Sequence, residues 1–252
     1  MQLILAAAGQ GSRMGPLGAH LPKALIREPT SHQPLLHHIY KRIEAESSLD
    51  HIIIVGASDS PSAGMIAEST KVFPFKLRPE VSVVLGDRRG VGFAFLLGLE
   101  RAVSLGLENT LLSVADSVAT TYGQLTRQNG SVVVGVTRSY AEGGKQHSTI
   151  LVDSDGWLRP LSAPQSRCSA RNVAGMYALR GDAITEYIDI FREELLRNSH
   201  QDAMNAKGEY RVSWVWESFQ ERGYSVRTAD VGEIAEINFP EDLTRFRDFF
   251  RA

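Results

Sequence analysis

A chain of 252 residues that is 43% hydrophobic and 22% charged can bury a substantial core, and this composition excludes both a disordered polymer and a fibrous protein. The formal charge of −2 gives no general electrostatic basis for holding nucleic acid or an anionic membrane, so any anionic ligand has to be met by a local group of cations and amides. The single cysteine, Cys168, excludes an intrachain disulfide and a multi-cysteine metal cluster and suits a reducing compartment.

The chain opens on an apolar run, Leu3 to Ala8. No positive charge precedes it, and it is shorter than the roughly 7 to 15 residues of a secretory apolar region. No stretch approaches the ~18 consecutive apolar residues of a membrane span. The expectation is a soluble cytoplasmic protein, with residues 1–252 forming one domain.

Short continuous apolar runs then alternate with helical patterns: LILAAA at 3–8, HIIIVGA at 51–57, VSVVLG at 81–86, TLLSVA at 110–115 and SVVVGV at 131–136. Runs that do not alternate in polarity predict strands buried on both faces. Between them, PLLHHIYKRIEAES aligns Leu35, Leu36, Ile39 and Ile43 on one helical face, and GVGFAFLLGLERAVSLGL reads as a largely covered helix. Strand and helix in alternation imply right-handed crossovers and a mostly parallel sheet. From about residue 140 the texture changes. STILVDSDGWLRPL predicts two strands around an Asp-Gly turn and NVAGMYAL a third, a small antiparallel extension. Helical material follows over 183–222, then a strand in YSVRTADV. PEDLTRFRDFFRA predicts a last helix with Leu243, Phe246 and Phe250 on one face and Pro240 in its first turn.

The first strand runs into Gly9-Gln10-Gly11-Ser12, where bare backbone amides can approach a phosphate closely. Two phosphate motifs fail here. The dinucleotide fingerprint requires glycine where the chain has Met14, and no G-x-x-x-x-G-K-[ST] loop occurs. What remains is the combination of Gly9, Gly11, Arg13, Pro22 and Lys23. Arg13 offers a rigid fork of donors and Lys23 a compact mobile charge, suited to a triphosphate and its departing pyrophosphate.

A-A-G-x-G-S-R-M, a spacer and P-K-A-L resemble the signature of the nucleotidyltransferases with a GT-A-like fold. These include the sugar-phosphate nucleotidylyltransferases and the methylerythritol-phosphate and phosphocholine cytidylyltransferases. Weaker landmarks in the same order extend the resemblance over nearly the whole chain. The resemblance implies a three-layer α/β/α, Rossmann-like fold in which Arg13 and Lys23 are catalytic and Ala7, Ala8, Gly9, Gly11, Ser12 and Arg13 bind nucleotide. Gly90-Val91-Gly92-Phe93-Ala94 stands where the family encloses the nucleotide with a G-T-A-like turn, which adds Gly90 and Gly92 to that set; a helix start with close packing is the plainer reading of these glycines. Asp116, just beyond a strand, resembles the metal-binding aspartate, and its position at a strand's C-terminal end lies on the ligand side of such a sheet. AEINFPEDL at 235–243 is similar to E-I-[ND]-x-P-E-D-L, in which Asn238 would be the second ligand to Mg²⁺, with Glu236 the alternative.

The implied reaction is transfer of a nucleotidyl group from a nucleoside triphosphate to a sugar phosphate or another small phosphorylated alcohol, with release of pyrophosphate. A cytidylyltransferase for a non-sugar phosphate, such as phosphocholine or a polyol phosphate, is the second reading. A catalytically silent nucleotide-sugar-binding domain is the third. The E-K-P stretch of many sugar-1-phosphate enzymes is absent at Leu161-Ser162-Ala163-Pro164, although Asn172 to Tyr177 resembles the N-x-G-x-Y strand that follows it. Lys145, Arg159, Arg167 and Arg171 are the cations available to replace its lysine. His37 and His38 read as surface or packing residues, and His20 lies nearer the phosphate loop. The resemblance allows a homodimer, and the base is expected between the first glycine loop and Leu85–Gly92.

Overall fold

The structure, a computed structural model, describes residues 1–7, 14–16, 18, 21–137, 149–159, 168–197, 203–205 and 208–251. Its centre is a sheet in the order β10-β6-β9-β4-β1-β2-β3, formed by β1 (Gln2–Ala6), β2 (His51–Ala57), β3 (Glu80–Gly86), β4 (Asn109–Val114), β6 (Val132–Thr137), β9 (Cys168–Arg180) and β10 (Val226–Asp230). β1 pairs in parallel with β2 and β4, β2 with β3, and β10 with β6. The hairpin of β7 (Thr149–Asp153) and β8 (Leu158–Arg159) lies off this path, with β7 antiparallel to β9.

The predicted antiparallel strand has a central position. β9 is inserted between β4 and β6 and runs against both, so its Asn172 end and the C-terminal ends of β1 and β4 lie on the same edge of the sheet.

Continuous apolar strands are explained by two core layers, one on each face. Leu3 and Leu5 of β1 point into a layer with α1 (Leu35–Glu46) and α2 (Ser62–Lys71). Ile4 points the other way, toward α3 (Val91–Ser104), α5 (Asp182–Arg197) and α6 (Ser213–Glu221). β2 divides likewise, with Ile52 and Ile54 in the first layer and Ile53 and Val55 in the second. Full burial of each such side chain is worth roughly 1.5–3 kcal/mol. Together these layers form the α/β/α arrangement expected from the sequence.

One strand departs from the expectation of two buried faces. β3 is an edge strand, and its Val83 and Leu85 are 44% and 56% exposed. A continuous apolar run does not distinguish the middle of a sheet from its margin, because neighbours far away in the chain decide which strand is last.

Two short elements complete the frame of the site: β5 (Ser117–Ala119), which directly follows Asp116, and β11 (Ile234–Glu236), which pairs with it antiparallel as a separate two-stranded sheet. The final helical segment is broken into α7 (Pro240–Arg245) and α8 (Arg247–Arg251), α4 being the single turn Gly123–Arg127. Leu243, Phe246 and Phe250 are buried in the first core layer, on the shared face predicted.

Candidate active site

Lys23 reaches the sheet edge on a short 3-10 turn, Lys23–Leu25, that follows Pro22. The turn is closed by the Leu25 N–H on the Pro22 carbonyl at 2.9 Å and the Ile26 N–H on the Lys23 carbonyl at 3.0 Å. Ala24 and Ile26 are buried in the first core layer. Their burial anchors the backbone and leaves the lysine side chain directed along the sheet edge. Met14 is fully buried in the same layer, a packing role for the residue that replaces a third glycine.

Asp116 and Asn238 are brought together by the β5–β11 pair. Ser117 lies opposite Glu236, and the Ile237 N–H donates to the Asp116 carbonyl at 3.1 Å, which extends the pairing by one residue to the aspartate itself. Beyond it, Asp242 Oδ2 accepts the N–H groups of both Asn238 and Phe239 at 2.8 Å. This fixes the Asn238 backbone and caps α7, where an acid also complements the positive end of the helix dipole. The aspartate of the FPEDL stretch therefore has a local purpose, which is to hold the residue two positions before Pro240.

These elements converge on one ammonium. Lys23 Nζ donates to Asp116 Oδ2 at 3.0 Å and to Asn238 Oδ1 at 3.2 Å, partners 93 and 215 residues away in the chain. The Lys23 and Asp116 side chains are 13% and 31% exposed, and Asn238 is 8% exposed. The cluster thus opens to solvent mainly through the carboxylate. Ala7 lies beside it at the end of β1, its N–H on the Val55 carbonyl, and the Ala115 N–H donates to the Ala6 carbonyl.

The donor set fits a divalent cation. Asp116 Oδ2 and Asn238 Oδ1 aim at a common point at which a positive charge already sits, the lysine ammonium. One carboxylate and one amide oxygen make a partial ligand set of the kind magnesium accepts while retaining water and substrate phosphate. Among the described residues no group of three or more His, Cys, Asp or Glu side chains forms a metal cluster, and Asp116 Oδ2 and Asn238 Oδ1 are the pair of oxygens that meet at the ammonium. Glu236, the alternative ligand, lies in β11 opposite Ser117.

Gly90 and Gly92 have a different setting. Gly90 has φ of 96°, and a Cβ there would lie 2.5 Å from the Tyr210 carbonyl oxygen. A Cβ on Gly92 would collide with the Arg211 carbonyl. The Gly92 N–H donates to the Tyr210 carbonyl at 3.1 Å and the Tyr210 N–H to the Arg89 carbonyl at 2.6 Å. The absence of side chains is therefore explained by the backbone of Glu209–Arg211 docked on the start of α3. Arg89 adds its guanidinium over the rings of Phe93 and Tyr210, at 4.7 and 5.3 Å from their centroids.

Of the remaining predicted residues, Ala8, Gly9, Gly11, Ser12, Arg13 and His20 lie outside the described residues, as do Lys145, Arg167 and the stretch 161–164. Arg159 is ion-paired with Asp153. Arg171 donates to the adjacent Ala170 carbonyl. Asn172 lies within β9 opposite Thr149, whose hydroxyl donates to its side chain at 3.3 Å. His37 contacts Ser69 and packs against Tyr40 and Phe73, and His38 is buried against Phe250. Of the surface and packing roles expected for them, both have the packing one.

Sequence reasoning missed the residues that hold the end of β5 and the turn after it, the segment that follows Asp116. Arg42 of α1 donates to the Ala119 carbonyl at 2.6 Å and the Phe249 carbonyl at 2.9 Å, while Glu46, one turn on, accepts the Thr121 hydroxyl and the Tyr122 N–H. The i, i+4 spacing of an arginine and a glutamate on an otherwise apolar face was the available signal, and it reads equally well as a solvated pair.

No protein-family model and no curated protein sequence matches the chain. Solved structures do, and those it resembles are nucleotidyltransferases. It superposes on the nucleoside-diphosphate-sugar pyrophosphorylase of Vibrio cholerae RC9 with a TM-score of 0.71 and 16% identity, over 98% of this chain and 100% of that one. The CTP:phosphocholine cytidylyltransferase of Streptococcus pneumoniae gives 0.69 and 15%, over 98% of both chains. For the inositol-1-phosphate CTP transferase of T. maritima the values are 0.68 and 15%, over 99% of this chain and 94% of that one. At these identities the shared property is the fold, over its whole length. No helix among the described residues is long and apolar enough to cross a membrane.

Proposed function

We propose that the protein is a Mg²⁺-dependent nucleotidyltransferase that transfers a nucleoside monophosphate from a nucleoside triphosphate to a sugar phosphate or a similar small phosphorylated alcohol. The observation that carries this reading is the meeting of Lys23, Asp116 and Asn238 at one point of the sheet edge, beside the strand that leads into the glycine loop.

In this reaction an oxygen of the acceptor phosphate forms a bond to the α-phosphorus of the triphosphate. The bond from that phosphorus to the bridging oxygen breaks, and pyrophosphate leaves with the electron pair. An ionised phosphate is already nucleophilic, so no general base is needed. The protein's contribution is alignment and charge stabilisation. Backbone amides of the glycine loop and the guanidinium of Arg13 hold the phosphates, and the Lys23 ammonium neutralises charge at the α-phosphate. Asp116 and Asn238 would hold Mg²⁺, which when bound supplies Lewis-acid stabilisation of phosphate charge.

A non-sugar acceptor is the second reading. It is supported by the absence of E-K-P in the sequence and by fold neighbours named for phosphocholine and inositol 1-phosphate.

The test is a thermal-shift panel of CTP, UTP, dTTP, GTP and ATP, each with and without Mg²⁺. A nucleotide at ~100 times its dissociation constant adds about 2.7 kcal/mol, several degrees for a chain of this size. The expected result is a Mg²⁺-dependent rise with one or two of the five. No rise with any of them would overturn the triphosphate site. Asp116→Ala should abolish the Mg²⁺ dependence, and an unchanged dependence would remove that residue from the metal site.

A further inference from the structure

The oxygens assigned to the metal are held, in this structure, by a cation of the protein's own. Lys23 Nζ makes hydrogen bonds with Asp116 Oδ2 and Asn238 Oδ1 at once, so the group that would bind a phosphate and the groups that would bind a metal satisfy one another. We propose that Lys23 and the divalent ion are mutually exclusive occupants of the Asp116–Asn238 pair, so that the ion is taken up together with a triphosphate and not ahead of it. The proposal deepens the nucleotidyltransferase reading and rests on it.

Three features support this. The single positive charge of Lys23 cancels the single negative charge of Asp116, so a bare divalent ion meets no net attraction and must break a partly buried ion pair to enter. Among the described residues no group of three or more His, Cys, Asp or Glu side chains forms a ready-made metal cluster that would offset that loss. The backbone of Lys23 is anchored by buried Ala24 and Ile26, yet its ammonium rides on a flexible four-carbon stem and can change partners without moving the turn. A triphosphate reverses all three terms in one binding event. It gives the ammonium a new anionic partner, frees Asp116 and Asn238, and adds phosphate oxygens to the ion's ligand set. Metal and triphosphate would then each strengthen the binding of the other, by the same factor.

The experiment titrates Mn²⁺ alone, with no nucleotide, and reads bound metal by electron paramagnetic resonance. It compares the wild-type protein with Lys23→Met, Lys23→Gln, Lys23→Arg and Asp116→Asn. Removing a unit charge a few ångströms from the site should tighten Mn²⁺ binding by roughly 10-fold or more in Lys23→Met and Lys23→Gln. Lys23→Arg should stay as weak as wild type, and Asp116→Asn should lose the site. Thermal melts establish that each variant is folded, and Lys23→Gln, which keeps hydrogen-bonding capacity, carries the test if Lys23→Met is not. Equal or weaker Mn²⁺ binding in the folded neutral variants would overturn the proposal. Because this readout contains no nucleotide, it fails or succeeds separately from the nucleotide panel, which tests the underlying reading.

Discussion

Two parts of the same sheet edge are built on opposite principles. Around Lys23, polar side chains from three distant segments converge, and Asp116 keeps 31% of its side chain open to water. Around Gly90 and Gly92, side chains are missing so that backbone can approach backbone, and the Tyr210 carbonyl occupies the space. Sequence presents both as short glycine- or lysine-bearing landmarks before a helix. Their difference separates a place where polar side chains meet from one where backbone meets backbone.

Substitutions should therefore divide into two patterns. The largest effect is expected for Lys23→Ala, which should lower turnover by about 10²–10³-fold, the usual scale for losing one transition-state charge contact, with the melting temperature within a few degrees of wild type. Pyrophosphate release and a thermal melt check this, and a collapse in melting temperature would move Lys23 into the structural region. Gly90→Ala should give the inverse pattern. A side chain at φ of 96° and 2.5 Å from a carbonyl oxygen should destabilise by about 2–4 kcal/mol in denaturant titration. Gly92→Ala, which meets a collision without the positive φ, should cost about 1–3 kcal/mol. Wild-type stability in both variants would mean that Tyr210 and Arg211 are not docked there in solution.

A third test sharpens the comparison away from the site, at the buried polar cluster behind α1. Burial, together with the nearby positive charge of Arg42, lowers the pKa of His38 to about 4. Burial alone would raise Glu28, but hydrogen bonds from the Ser31 and Thr30 N–H groups, at 2.5 and 2.7 Å, bring it down to about 2. Between pH 6.5 and 4 an unfolded His38 binds a proton that the folded one refuses, so stability should fall with pH across that window. The slope is at most about 1.4 kcal/mol per pH unit. Glu28 contributes stability fully above pH 4.5 and should lose it as the pH falls toward 2. Chemical denaturation from pH 8 to 4 should show the upper step, and His38→Asn should remove it. The smallest effect is expected at the surface pair of Arg88 and Asp59, where Arg88→Ala should cost less than about 1 kcal/mol.

Much of the fold was legible because the strands are continuous apolar runs and the helices carry one apolar face. HIIIVGA coincides with β2, and the helix on Leu35, Leu36, Ile39 and Ile43 spans Leu35–Glu46. Less legible were α2, whose SAGMIAESTK has a weaker apolar pattern, and the three-residue strands β5 and β11. Strands that short carry no periodicity, yet their pairing brings Asp116 to Asn238. The edge position of β3 and the insertion of β9 between β4 and β6 were likewise unreadable, since both depend on pairings between segments far apart in the chain.

The sequence by itself determined the types of residue available at the sheet edge and the order in which the chain delivers them: a glycine loop, an arginine, a lysine after proline, an aspartate after a strand and an asparagine before P-E-D-L. Local pattern suffices for this because turns, caps and strand ends are set by residues a few positions apart. Tertiary structure alone decided that Lys23 should lie within hydrogen-bonding distance of Asp116 and Asn238, and that Gly90 and Gly92 should lie beneath Tyr210 and Arg211. Those contacts span up to 215 residues, and only the closing of the parallel sheet and its two core layers brings such partners to one place.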